Sequence, residues 1–237
     1  MEHMVIFERY LGVDGPRLRI GGVVTRDVAH YKGVPHGAVQ VAVVVNKNAK
    51  PHILLHKRSR WKKISPNTWD ICGGHVDANG GLLTDVGLWD DQAFIKDLFA
   101  KTALREANEE ICIIKRPDFK FDEKHLRCFG GPGVFESASE NKEFSTLYLA
   151  FVPETIVSLT DADEVKDIFK VVDSVGIGGK SKEEIALELR LVTLIQLVRE
   201  FGEKPEDYAD GVARVLSRAV EEPGTGKALI EFLEEGF

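Results

Sequence analysis

An extended segment, a pair of glycines and a long helical period follow one another between residues 67 and 110. This order constrains the chain more than any other feature. "NTWDICGGHV" (67–76) closes its apolar run on Gly73 and Gly74. "DANGGLLTDVGLW" then reads as loop, being rich in Gly and Asp. From Asp90 onward, Phe94, Leu98, Thr102 and Leu104 recur at helical spacing and predict a helix over 90–111, with Asp90 or Asp91 as its N-cap. Its last turns, "REANEE" (105–110), set Glu106, Glu109 and Glu110 at i, i+3 and i+4, on one helix face. Each like-charge pair costs the helix about 0.2–0.5 kcal/mol, so folding alone gives no reason to keep them.

Strand signals surround this helix. "GAVQVAVVVN" (37–46) and "PHILLHKRS" (51–59) are strand-length runs joined by a short polar turn, a hairpin pattern. "KHLRCFGG" (124–131) and "EFSTLYLAFV" (143–152) predict two more strands, and "DADEVKDIFKVVD" (161–173) an amphipathic helix. After "GIGGKS" the composition shifts, and residues 181–237 read as helix-like segments with no strand among them. The expected domains are 1–175 and a helical C-terminal extension over 176–237, packed on the same core or on a partner subunit, as in a homodimer. Its apolar positions are too many to leave in water.

Composition narrows the function. A formal net charge of −7 argues against a nucleic-acid or membrane-surface binder. No apolar run approaches the ~20 residues a membrane span needs. The N-terminus lacks the basic and apolar regions of a signal peptide. Three cysteines (Cys72, Cys112, Cys128) at irregular spacing suit a reducing cytoplasm better than a disulfide framework. Cys72 and His75 form C-x-x-H, but no second pair follows at zinc-finger spacing. Cys72, in an apolar strand end, reads as a small hydrophobe.

Taken alone, R-E-x-x-E-E is a solvated acidic face. A glycine turn upstream, a strand ending in cations ("ILLHKRS") and Glu143 opening a later strand turn it into a pocket for a hard cation. Together these residues resemble the Nudix box of the Nudix hydrolases, G-x5-E-x7-R-E-U-x-E-E-x-G-U, where U is a bulky aliphatic residue. Gly74 matches the opening glycine; Arg105, Glu106, Glu109, Glu110 and Ile113 match the second half. The wider blocks, over roughly residues 20–175, are similar to the Nudix branch nearest the isopentenyl-diphosphate isomerases. An unbroken motif would put the arginine at position 88, so Arg105 implies an insertion of 17 residues. Asp97 stands where the family has Glu, Ala107 is small for an aliphatic position, and Cys112 replaces a helix-ending Gly.

The resemblance implies an α/β fold, an α/β/α sandwich around a mixed sheet. It implies hydrolysis of a diphosphate linkage in a nucleoside diphosphate joined to some moiety X, by water attack on phosphorus. Glu106, Glu109 and Glu110 would hold Mg²⁺ (or Mn²⁺) with the Gly74 carbonyl, and Arg105 would orient a neighbouring carboxylate. Glu109 would be catalytic as well as metal-holding, and Glu143, with Glu136 and Glu140 behind it, would be general base or a further ligand; an exposed strand-start carboxylate is the plain alternative for Glu143. Arg58, at a strand end, and His75, beside the glycine pair, are the substrate-binding candidates. His52 and His56 read as surface residues. The partner is a small diphosphate, with no nucleic acid and no membrane. Two other functions compete: an isopentenyl-diphosphate isomerase-like enzyme, and a non-catalytic Nudix sensor of a nucleotide or sugar diphosphate. The isomerase needs a cysteine in C-G-H-P, whereas Cys72 sits in C-G-G-H-V; sensors usually lose box carboxylates, and all three remain.

Overall fold

The β-branched runs form strands and the chain is a mixed α/β protein. The computed structural model describes residues 3–12, 15–78, 86–136, 142–177, 180–213 and 216. In chain order, β1 (His3–Gly12) and β2 (Gly15–Thr25) precede a short α1 (Arg26–Tyr31). Next come β3 (His36–Lys47), β4 (Lys50–Lys57), β5 (Trp69–Asp70) and β6 (Cys72–His75). The long helix α2 (Gln92–Glu110) runs directly into β7 (Ile111–Ile113). After it follow β8 (Leu126–Glu136), β9 (Lys142–Phe151), α3 (Val165–Ile168) and β10 (Phe169–Ile177). The described chain closes with β11 (Lys180–Ile185), β12 (Leu189–Val192) and α4 (Leu194–Glu203).

The chain divides into two compact units, one of residues 1–40, 73–105 and 128–148, the other of 41–72, 106–127 and 149–237. In the first unit β1 and β2 form an antiparallel hairpin, and Ile6 of β1 pairs with His36 of β3. Phe7, Phe99 and Phe144 meet in its core, with the Phe7 ring centroid 5.3 Å from Phe99 and 6.4 Å from Phe144. Gly37 sits where a Cβ would come within 2.6 Å of Phe7 and 2.8 Å of Val76, so no larger residue fits. In the second unit Val44–Lys47 of β3 pair with Lys50–Ile53 of β4, and β12 lies antiparallel on the other side of β4. Among the described residues no helix is long and apolar enough to cross a membrane.

Two helix expectations are corrected. Only Val165–Ile168 of 161–173 is helical. Phe169–Val171 instead pair with Ile111–Ile113, because Phe169, Val171 and Asp173 are buried at every second position, a strand period. Residues 180–185 and 189–192 are strands, where none was expected, although Lys, Glu, Leu and Arg favour helix there. Pairing with β10 and β4 supplies the hydrogen bonds that override that preference. Thus 189–216 belongs to the same compact unit as β4, while residues 217–237 lie outside the described residues.

Candidate active site

Helix α2 delivers the acidic face. Asp91 is its cap: Oδ1 accepts from Ala93 N at 2.8 Å and from Phe94 N at 3.1 Å. The buried stripe runs through Ile95, Leu98, Phe99, Ala103 and Ala107, one position from the Phe94 and Leu104 expected from the sequence. This phase settles the carboxylates. Glu106 follows the stripe and is buried, Glu109 is exposed, and Glu110 lies between them. Ala107 is small because it is fully buried in that stripe. Cys112 needs no glycine, since the helix passes into β7 without a left-handed residue. Asp97 spends its charge on Lys101, one turn on, at 2.7 Å.

Within the second unit, Glu110 is half-buried as a residue, and its carboxyl is the enclosed end. Burial pushes that carboxyl well above the usual carboxylate range. The charges of Glu106 and Asp173 push it further, while Lys62 and the Cys72 thiol draw it back. Asp173 belongs to the same cluster: Lys62 Nζ lies 2.6 Å from Oδ1, and Ser59 N donates to Oδ2 at 3.1 Å. Burial alone would raise Asp173, but Lys62 and that N–H outweigh it and hold the group below its ordinary value. Burial and the neighbouring charges disfavour ionised carboxylates here, and oxygen donors of this kind fit a hard divalent ion.

Other expected residues have different partners. The Arg58 guanidinium lies within electrostatic reach of Glu110, but Nη1 binds Asp70 and Nη2 the Ile64 carbonyl at 3.2 Å. These contacts brace Asp70 and leave the expected phosphate contact of Arg58 a proposal. His56 is buried, correcting its surface reading; burial lowers its pKa, with Asp70 and Asp173 opposing. Cys72 is buried and hydrogen-bonded to Glu110. Burial, then Glu110, push its thiol well up, so it lacks the reactive thiolate an isomerase-like reading calls for.

Within the first unit, Gly73 lets β6 approach β3 closely: a Cβ would lie 2.7 Å from the Val39 carbonyl. Gly74 and His75 follow on β6. Arg105 reaches back from α2, its Nη2 3.0 Å from Asp77 and donating to the His75 carbonyl at 3.3 Å, so it fixes the strand end beside the glycines. Glu143 is buried, against the exposed alternative, with Oε1 3.8 Å from His75 Nε2 and 3.9 Å from His36 Nε2. The Glu140 alternative and the side chain of Glu136 lie outside the described residues. Sequence reading missed Asp173, His30 and His36. They carry no spacing signal, because only the fold brings them to their partners.

Solved structures similar to the chain include a Nudix hydrolase from M. smegmatis, RenU, at 13% identity (90% of this chain, 92% of that one, TM-score 0.40). Another is a NUDIX hydrolase from Alicyclobacillus acidocaldarius at 14% identity (80% and 95%, TM-score 0.47). A third is a C. elegans Ap4A hydrolase binary complex at 16% identity (76% and 94%, TM-score 0.36). No curated protein matches the chain. The family model of the NUDIX domain matches residues 35–175, more than half of the chain. The chain belongs to the Nudix family.

Proposed function

We propose that the protein hydrolyses a diphosphate linkage in a nucleoside diphosphate joined to a moiety X, using Mg²⁺ or Mn²⁺ held by Glu106, Glu109 and Glu110. One observation carries this reading: the Glu110 carboxyl is enclosed beside Glu106 and Asp173, with Lys62 among them. When bound, a divalent ion neutralises phosphate oxygens and makes a coordinated water more acidic. The chain's own residues do the rest. Glu106, buried on α2, and Glu110 present fixed oxygens; exposed Glu109 accepts the proton of the attacking water. Lys62, held by Asp173, offers its ammonium to the phosphates, a role its 22% side-chain exposure allows. Arg105, on the preceding residue of α2, keeps the end of β6 in place through His75 and Asp77. The Gly74 carbonyl, a metal ligand by resemblance only, stays part of the proposal. Three free cysteines and the acidic net charge support a cytoplasmic enzyme of small molecules.

The test is release of phosphate or mononucleotide from a panel of nucleoside triphosphates, dinucleotides, ADP-ribose, coenzyme A and sugar nucleotides. The proposal expects Mg²⁺- or Mn²⁺-dependent release from at least one of them. An isomerase or a sensor would release none.

A further inference from the structure

The loop from Arg58 to Thr68, between β4 and β5, is pinned at its base to the acidic cluster of the second unit. Ser59 N donates to Asp173 Oδ2 at 3.1 Å, and Ser59 Oγ donates to Glu184 Oε2 at 2.6 Å. Lys62 Nζ lies 2.6 Å from Asp173 Oδ1. Trp61 N donates to Ser59 Oγ at 3.2 Å and Lys62 N to the Ser59 carbonyl at 3.1 Å, which closes a tight turn over 59–62. Two left-handed residues, Ser65 (φ 47°) and Asn67 (φ 58°), fold the far limb back. There Thr68 Oγ1 donates to the Ser65 carbonyl at 2.7 Å and Arg58 Nη2 to the Ile64 carbonyl at 3.2 Å. Non-glycine residues keep such conformations only where their surroundings fix them.

The tip of this fixed loop carries what a core does not need. Trp61 is 55% exposed, and the exposed Arg60 and Lys63 flank the Trp61–Lys62 pair in the chain. The Arg60 guanidinium lies 4.7 Å from the centre of the Trp61 ring, a cation–π contact that orients the indole and adds positive charge beside it. A single exposed apolar side chain calls for no explanation by itself. Trp61 differs because the next residue, Lys62, is the cation at Asp173 and Glu110. The turn that carries both is tied through Ser59 to Asp173 as well.

We propose that Trp61 is the stacking platform for the nucleobase of the substrate, with Arg60 on one face of the indole and the base on the other. Trp61 then takes the nucleoside half of the substrate, a role that rests on the proposed hydrolysis of a nucleoside diphosphate linkage. Two features favour a base over other flat or apolar groups. Every base offers a π-face to an aromatic ring, and the cations at the tip attract the phosphates that a nucleotide carries. Consecutive Cα atoms are about 3.8 Å apart, so Trp61 and Lys62 serve the base and the phosphates of one nucleotide, which a single ribose separates. Stacking reads no hydrogen-bonding edge. Trp61 therefore sets preference for a nucleotide over a bare diphosphate, and little preference among bases.

The test is calorimetry on the full-length protein at saturating Mg²⁺ with uncleavable probes. These are the α,β-methylene analogues of ADP, GDP, CDP and UDP, with methylenediphosphonate as the base-free control. Trp61→Ala should bind the nucleotide analogues about 5- to 150-fold more weakly than the parent and methylenediphosphonate equally well. Trp61→Leu, which keeps apolar bulk, should lose as much, and Trp61→Tyr should recover most of the affinity. On a nucleotide that the parent cleaves, Trp61→Ala should raise KM and leave kcat within a few-fold. Undiminished analogue binding in Trp61→Ala and Trp61→Leu overturns the platform and leaves the hydrolysis untouched. Equal weakening of methylenediphosphonate overturns it too, since the loop would then act on the phosphates alone. A parent that binds none of the four analogues also overturns it. Selective loss of the analogues in a protein that hydrolyses no nucleotide would keep the platform and refute the hydrolysis.

Discussion

The thiol of Cys72 is hydrogen-bonded to the carboxyl of Glu110, a member of the α2 acidic cluster. The contact is polar, yet it gives the sulfur no reactive role, since burial and the neighbouring carboxylate keep the proton on it. Cys72→Ala is therefore expected to leave turnover on an active substrate within a few-fold of the parent, at a small cost in stability. Steady-state kinetics checks this, and total loss of activity in a folded variant would bring back the isomerase-like reading.

The hairpin between β3 and β4 turns through Asn48 and Ala49, with Lys47 paired to Lys50. Both turn residues have positive φ, 52° and 56°, the pattern of a type I′ turn. Asn tolerates that region; alanine pays a penalty of about 1–2 kcal/mol for it. Ala49→Gly removes the strain but frees the unfolded chain, for a net gain of about 0.5–1 kcal/mol. A melting temperature about 1–3 °C higher is expected, and Ala49→Val should lower it. A lower melting temperature for the glycine variant would contradict the strained turn.

His56 gives a pH dependence with a definite sign. Burial lowers its folded pKa below the ordinary 6.5, so between 6.5 and the folded value the unfolded chain binds a proton that the fold refuses. This contribution to stability is complete above pH 6.5 and is lost as pH falls towards the folded value. His56→Gln should flatten the fall in melting temperature between pH 6.5 and 5 relative to the parent. Parallel curves for the two proteins would show that His56 titrates normally.

Much of this architecture was legible in residues. The hairpin over 36–57 came from two β-branched runs, and α2 from its cap and period, since both signals are local. The acidic face was readable because three glutamates at i, i+3 and i+4 share a helix side in any fold. Phe169–Val171 was not, because its partner Ile111–Ile113 is far away in sequence, and Lys180–Ile185 was not, because its helix-favouring Lys and Glu are held as strand by β10. The Asp70 partner of Arg58 was not readable either, since a strand-end cation does not announce the carboxylate that will face it. The His30, His36 and Glu143 constellation was invisible, since its members are spread over more than a hundred residues and meet only through α1, β3 and β9.

The central claim is that Glu106, Glu109 and Glu110 are kept on α2 to hold a divalent ion for hydrolysis. It is tested most directly by the turnover of Glu109→Gln on a substrate the parent cleaves, at saturating Mg²⁺. Glutamine keeps the size of an exposed side chain and relieves like-charge repulsion of about 0.2–0.5 kcal/mol per pair, so the metal-free fold should be unchanged or slightly firmer. Turnover should nevertheless fall by orders of magnitude. Parent-like turnover in Glu109→Gln would make this carboxylate an ordinary solvated side chain and contradict its place in the site.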